Sequence, residues 1–204
     1  MMYPNLVRIG LFFIGLIASA IQPLDYFTWT LEVIPALAGL AVLAWTYKNF
    51  KFTGLTYNFI LLHCFILFIG GHYTYAEVPL FDWIRDAIGG TRNNYDKLGH
   101  FAQGFIPGMI AREVFVRQQI VKPGFWTGLL TVCVCLAVSV FYELGEWAVA
   151  LSSGDASDAF LGTQGDQFDA QSDMFYCLIG ALCMVFFMSG LQDKAIAKMQ
   201  SEQA

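Results

Sequence analysis

The chain has 204 residues, of which 57% are hydrophobic and 13% charged, with a net charge of −5. A soluble globular protein carries about 25% charged residues, so this composition excludes one and implies a single integral membrane domain over residues 1–204. The few basic residues form no surface suited to nucleic acid, and neither repeats nor low-complexity runs are present.

A membrane-spanning helix needs about 20 predominantly apolar residues. Six stretches qualify in chain order: 5–23, 28–46, 55–72, 96–116, 125–150 and 170–190. The expected fold class is therefore all-α, a polytopic bundle of about six transmembrane helices. Ala18-Ser19-Ala20 has the small residues of a signal-peptidase site. The lone Arg8 and the long apolar run argue instead for retention of the first segment. Between the third and fourth stretches, Leu80, Phe81, Trp83, Ile84 and Ile88 fall on one helical face. That pattern predicts a short helix lying in the interface, ended by Gly89 and Gly90. The five cysteines all lie in apolar runs without metal-type spacing, which fits small core residues.

Lysines and arginines set the orientation. With the N-terminus inside, inner segments hold Arg8, Lys48, Lys51, Arg112, Arg117, Lys122, Lys194 and Lys198, whereas outer ones hold only Arg85, Arg92 and Lys97. Both termini are expected to be cytoplasmic, in a multi-pass protein of a bacterial inner membrane.

Under this topology His72, Asp96, His100, Glu143, Glu146, Asp166, Asp169 and Asp173 share the outer end of the bundle. Asp96 and His100 are spaced i, i+4, with Gln103 and Pro107 on the same face. Glu143 and Glu146 are spaced i, i+3, and the three late aspartates i, i+3, i+7. Ionisable groups in spanning segments are costly and mark functional candidates. Histidines and carboxylates on facing helices suit a divalent cation, here zinc, manganese or iron. The expected metal ligands are His72, Asp96, His100, Asp169 and Asp173. Glu143 or Glu146 is the expected catalytic base, and Arg92 and Lys97 are candidates to hold a substrate anion. Asp166 equally suits a helix cap, and Asp155 and Asp158 a solvated loop. His63, nine residues from His72, points the opposite way and reads as a core histidine. Glu32 is left open.

The strings GGHYTYAEVP (70–79), YDKLGHFAQGF (95–105), REVFVR (112–117), YELGEW (142–147) and FLGTQGDQFDAQSDM (160–174) closely resemble the YjdF family of bacterial inner-membrane proteins. That family is a domain of unknown function, so the resemblance implies location and fold and no reaction. A looser similarity links the chain to VanZ-like membrane proteins. It rests on the D-K-x-x-H pattern of Asp96, Lys97 and His100 and on acidic residues comparable with Asp169 and Asp173. It carries no resistance function over.

Three functions follow from this reading. The first is a metal-dependent enzyme acting on a lipid or envelope precursor at the outer leaflet. The second is a cation-binding protein or transporter. Against it, the inner halves of the spans, such as Leu129–Val140, carry almost nothing ionisable, and no inverted repeat is visible. The third is a structural or accessory protein whose charges pair with one another. Oligomeric state has no signature in the sequence.

Overall fold

The computed structural model describes residues 3–153 and 163–202, so Asp155 and Asp158 lie outside the described residues. The described residues form helices and no strand. In chain order these are α1 (Tyr3–Ala20), α2 (Tyr26–Thr46), α3 (Gly54–Tyr73), α4 (Pro79–Ala87), α5 (Tyr95–Arg117), α6 (Phe125–Ser153), α7 (Asp169–Cys183) and α8 (Ser189–Ser201). A π-helical turn, Met184–Met188, joins the last two.

Four helical stretches are long and apolar enough to cross a membrane: Tyr26–Thr46, Gly54–Tyr73, Phe125–Ser152 and Asp169–Ser201. The first helix is a shorter apolar one, over Pro4–Ala20. It stops before the expected residue 23, because the chain turns at Gln22, which has φ +52°. Helix α5 has the length to span but carries Asp96, Lys97, Arg112, Glu113 and Arg117. Those charges sit at its two ends, leaving His100 as the ionisable group between them. The last helix runs eleven residues past the expected end at 190.

Local chemistry explains the boundaries. The Asp25 carboxylate accepts the Thr28 N–H at 2.6 Å and caps α2. That bond holds the Asp25 carboxyl below its ordinary value. Thr53 caps α3 through its hydroxyl, and Pro79 opens α4 at a position that needs no N–H. Helix α4 ends at Ala87, and the turn after it passes through Gly89, whose φ of +67° suits glycine. Its Leu80, Trp83 and the adjoining Ile88 are exposed, while Phe81 packs edge-on against Tyr95. The expected short helix is therefore present, fastened at one edge to the start of α5.

Helices α5 and α7 pack at the centre, closer than side chains normally allow. A Cβ on Gly104 would overlap the Cys177 carbonyl, and one on Gly180 the Phe101 carbonyl. Small residues at such crossings are how membrane helices approach backbone to backbone. Cys135 of α6 donates to the Gly104 carbonyl at 3.2 Å, so α6 closes on the same seam. Helices α1, α2 and α3 form a second layer around Phe12, Val33, Ala36, Cys64 and Phe68.

The C-terminal end of α5 is tied down by the REVFVR segment. Glu113, fully buried, accepts from the Thr53 N–H and hydroxyl, from the Thr56 hydroxyl and from Arg117. Arg112 makes a two-pronged pair with Asp193 and also donates to Gln192, which donates to the Met109 carbonyl.

Candidate functional site

The close α5–α7 crossing determines what meets at the other end. With the backbones nearly touching, Lys97 on α5 reaches two carboxylates on α7, Asp169 and Asp173, each at 2.7 Å. Arg92, just before α5, lies 2.6 Å from Asp169 and 3.2 Å from Asp96. Arg92 also donates to the Thr163 carbonyl, and Gln164 exchanges two bonds with the Asn93 backbone. The two segments leading into α5 and α7 are thus clasped together.

His100 lies one turn deeper. Its Nε2 is 3.3 Å from Asp96 Oδ1 and 3.8 Å from Asp173 Oδ1. Its Nδ1 is 3.2 Å from Gln103 Oε1 and 3.8 Å from Glu143 Oε1. One ligand atom each from Asp96, His100 and Asp173 lies within 4.8 Å of the others, and all three residues are buried. Glu143 Oε1 is buried and has no hydrogen-bond partner, although its carboxylate faces the imidazole.

The expected cluster therefore forms, with changes of membership. Asp96, His100 and Asp173 converge, with Glu143 beside them. Asp169 is turned to Arg92 and Lys97 and lies outside the three-ligand group. Asp166, more exposed, accepts the Phe168 N–H and stands 3.8 Å from Arg92.

His72 is not brought to the site. Its Nδ1 meets the Ser19 carbonyl at 3.0 Å, between α3 and α1. Nine residues amount to half a turn out of phase on a helix, and it is His63 that faces the cavity beside His100. The opposition of the two histidines holds, and His63, though it lines the cavity, is not one of the three converging ligands. α3 is wedged between α1 and α5, so both faces are buried and hydrophobicity alone does not tell them apart.

Arg92 and Lys97 are not placed to hold an anion either. Arg92 pairs with Asp96 and Asp169, and Lys97 with Asp96, Asp169 and Asp173. These two cations neutralise much of the repulsion among the three aspartates. Neither pairs with Glu143 or Glu146 among the described residues.

The remaining members face a cavity of about 660 Å³ bounded by α1, α2, α3, α5 and α6. Asp96, His100, Gln103 and Glu146 reach its polar end, joined there by Glu32, Tyr75 and Tyr142. Glu32 is buried and accepts from the Tyr142 hydroxyl at 3.1 Å. Tyr75 and Tyr142 escaped the sequence reading because an aromatic residue in an apolar run has no polar signature. Glu32 carried one, a lone carboxylate in an apolar helix, but no partner for it could be named.

A family model described as "Predicted membrane protein (DUF2238)" matches residues 4–194. The inner membrane protein YjdF of Escherichia coli strain K12 is 47% identical over 174 residues, covering 85% of this chain and 83% of the relative. No solved structure matches. The resemblance to the YjdF family is thus borne out, whereas the VanZ-like similarity rests on the residue pattern alone.

Proposed function

The chain belongs to the DUF2238 family of membrane proteins, and from that premise we propose that it is a metal-assisted enzyme of the bacterial inner membrane acting on a lipid or envelope precursor. The observation that carries this reading is continuity. The same Asp96 and His100 that converge with Asp173 also form the polar end of an apolar cavity. Purely structural ion pairs have no need to open onto such a space.

Asp96, His100 and Asp173 supply a carboxylate–imidazole–carboxylate donor set suited to zinc, manganese or iron. Lys97 touches Asp169 and Asp173 at equal distance. It can therefore yield Asp173 to the metal and keep Asp169. A metal bound there supplies Lewis acidity to the reacting group. Glu143 Oε1, buried and unbonded, is the group free to take a proton, and Glu146 lines the path from the cavity. In this reading Arg92 and Lys97 orient the aspartates and do not bind substrate.

Elemental analysis of protein purified without chelator tests this. One divalent metal per chain is expected, lost in His100→Ala and Asp173→Asn and retained in Arg85→Ala. Thermal stability in detergent should rise with added metal, because a ligand bound only by the folded state stabilises it. A second reading is favoured by the paired contacts of Lys97: a structural ion network. It predicts no metal and makes Lys97→Ala as damaging as Asp173→Ala.

A further inference from the structure

The cavity runs lengthwise along α2, and its length constrains what fills it. Along α2 it runs from Glu32 to Tyr47, fifteen residues or about 22 Å of helix. One leaflet of hydrocarbon is about 15 Å deep, half of a bilayer core. The space therefore starts at the polar cluster and continues past the bilayer midplane. At its inner end stands Arg8, held by Asn5 and Asn58.

The cavity also opens sideways. Pro35, Gly39 and Val138 line it yet remain exposed, so the gap lies between α2 and α6. The Tyr142–Glu32 bond bridges that gap at the outer end. An occupant can thus slide in laterally from the membrane. At the polar end Glu32, Asp96 and Glu146 offer acceptors, which favours a donor-bearing head such as a hydroxyl.

We propose that this cavity is a length-selective site for the single hydrocarbon tail of a long-chain amphiphile, with the polar end of that molecule held at the His100 cluster. The proposal rests on the functional reading above only for the chemistry at the outer end. Lipid tails are as apolar as the cavity wall, so transfer from the bilayer gains little hydrophobic energy. Selection comes from the polar anchor and from the depth. A linear acyl chain and a polyprenyl chain share this chemistry.

Gly39 provides the test. Gly39 lines the cavity, and a Cβ there meets nothing within 4 Å, so Gly39→Phe adds a ring to the cavity wall from an open position. It sits seven residues below Glu32, about 10 Å down. Binding of octanol, hexadecanol and a long-chain polyprenol, all tritiated, is measured on detergent-purified protein. Wild type should bind the two longer alcohols saturably, one per chain, and more tightly than octanol. Gly39→Phe should weaken both by at least about tenfold and leave octanol unchanged. Gly10→Phe, on an exposed and equally open face of α1, should change nothing.

Tighter binding of polyprenol than hexadecanol assigns an isoprenoid tail, and the reverse an acyl tail. Equal affinity for all three alcohols, unsaturable binding of the annular-lipid kind, or indifference to Gly39→Phe overturns the proposal. Absence of metal with chain binding intact would defeat the enzyme reading and leave this one standing.

Discussion

Glu113 shows how a single carboxylate can be fixed within an apolar helix bundle. It has no exposed surface, and four donors converge on its two oxygens: the Thr53 amide, the hydroxyls of Thr53 and Thr56, and Arg117. Removing it strands all four, and breaking a buried pair by deleting one partner costs about 3–5 kcal/mol. Glu113→Ala should therefore lower stability in detergent by that order, read from an equilibrium unfolding curve. Glu143→Ala should be nearly neutral in the same assay, since its Oε1 bonds nothing. The contrast separates a carboxylate the fold depends on from one it does not. A comparable loss in both variants would remove that distinction.

At the scale of helices, the α5–α7 crossing decides whether the polar cluster exists. Gly104 and Gly180 each abut the carbonyl of the opposite backbone. Their substitution by Ala must push the helices apart, at about 1–3 kcal/mol each for overpacking. The same separation would pull Lys97 away from Asp169 and Asp173. Gly104→Ala and Gly180→Ala should lower the melting temperature, and if metal is bound they should lower its content too. Gly39→Ala, in open space, should be neutral or slightly stabilising, because Ala is the better helix former by about 1 kcal/mol. A melting-temperature series over the three variants checks the order.

For the molecule as a whole, the charge bias predicts six spans with both termini on the cytoplasmic side, consistent with four clear spanning helices, the shorter α1 and the charge-ended α5. Reporter fusions after Ser201 and at Gly90 should give cytoplasmic and external signals respectively. An internal signal at Gly90 would move the cluster to the other face. Most of the fold was legible in the sequence because bilayer thickness dictates helix length, and α2, α3 and α5 end within two residues of expectation. The site was legible as far as helical periodicity reaches. Spacing places Asp96 with His100 and Asp169 with Asp173 on shared faces. It does not say which face of α3 turns to the cavity, and that face carries His63 while His72 turns to the Ser19 carbonyl. Nor does it show that Lys97 and Arg92 are consumed by their neighbours, because that depends on two glycines letting α7 approach.

The π-helical turn at Met184–Met188 has a consequence for phase. Upstream, the buried positions Asp173, Cys177, Gly180, Ala181 and Met184 follow an ordinary helical seam. Extrapolated at 3.6 residues per turn, that seam would reach residue 191 two turns past Met184, and Leu191 is 52% exposed. The wide turn inserts one residue of slack, and the seam resumes at Gln192 and Ile196. The two ends of one helix thus mesh with α5 like a screw whose thread is cut twice: one phase delivers carboxylates to Lys97, the other delivers Gln192 to the Met109 carbonyl. No single period can serve both, so the misfit is absorbed where Phe186 and Phe187 point outward to lipid.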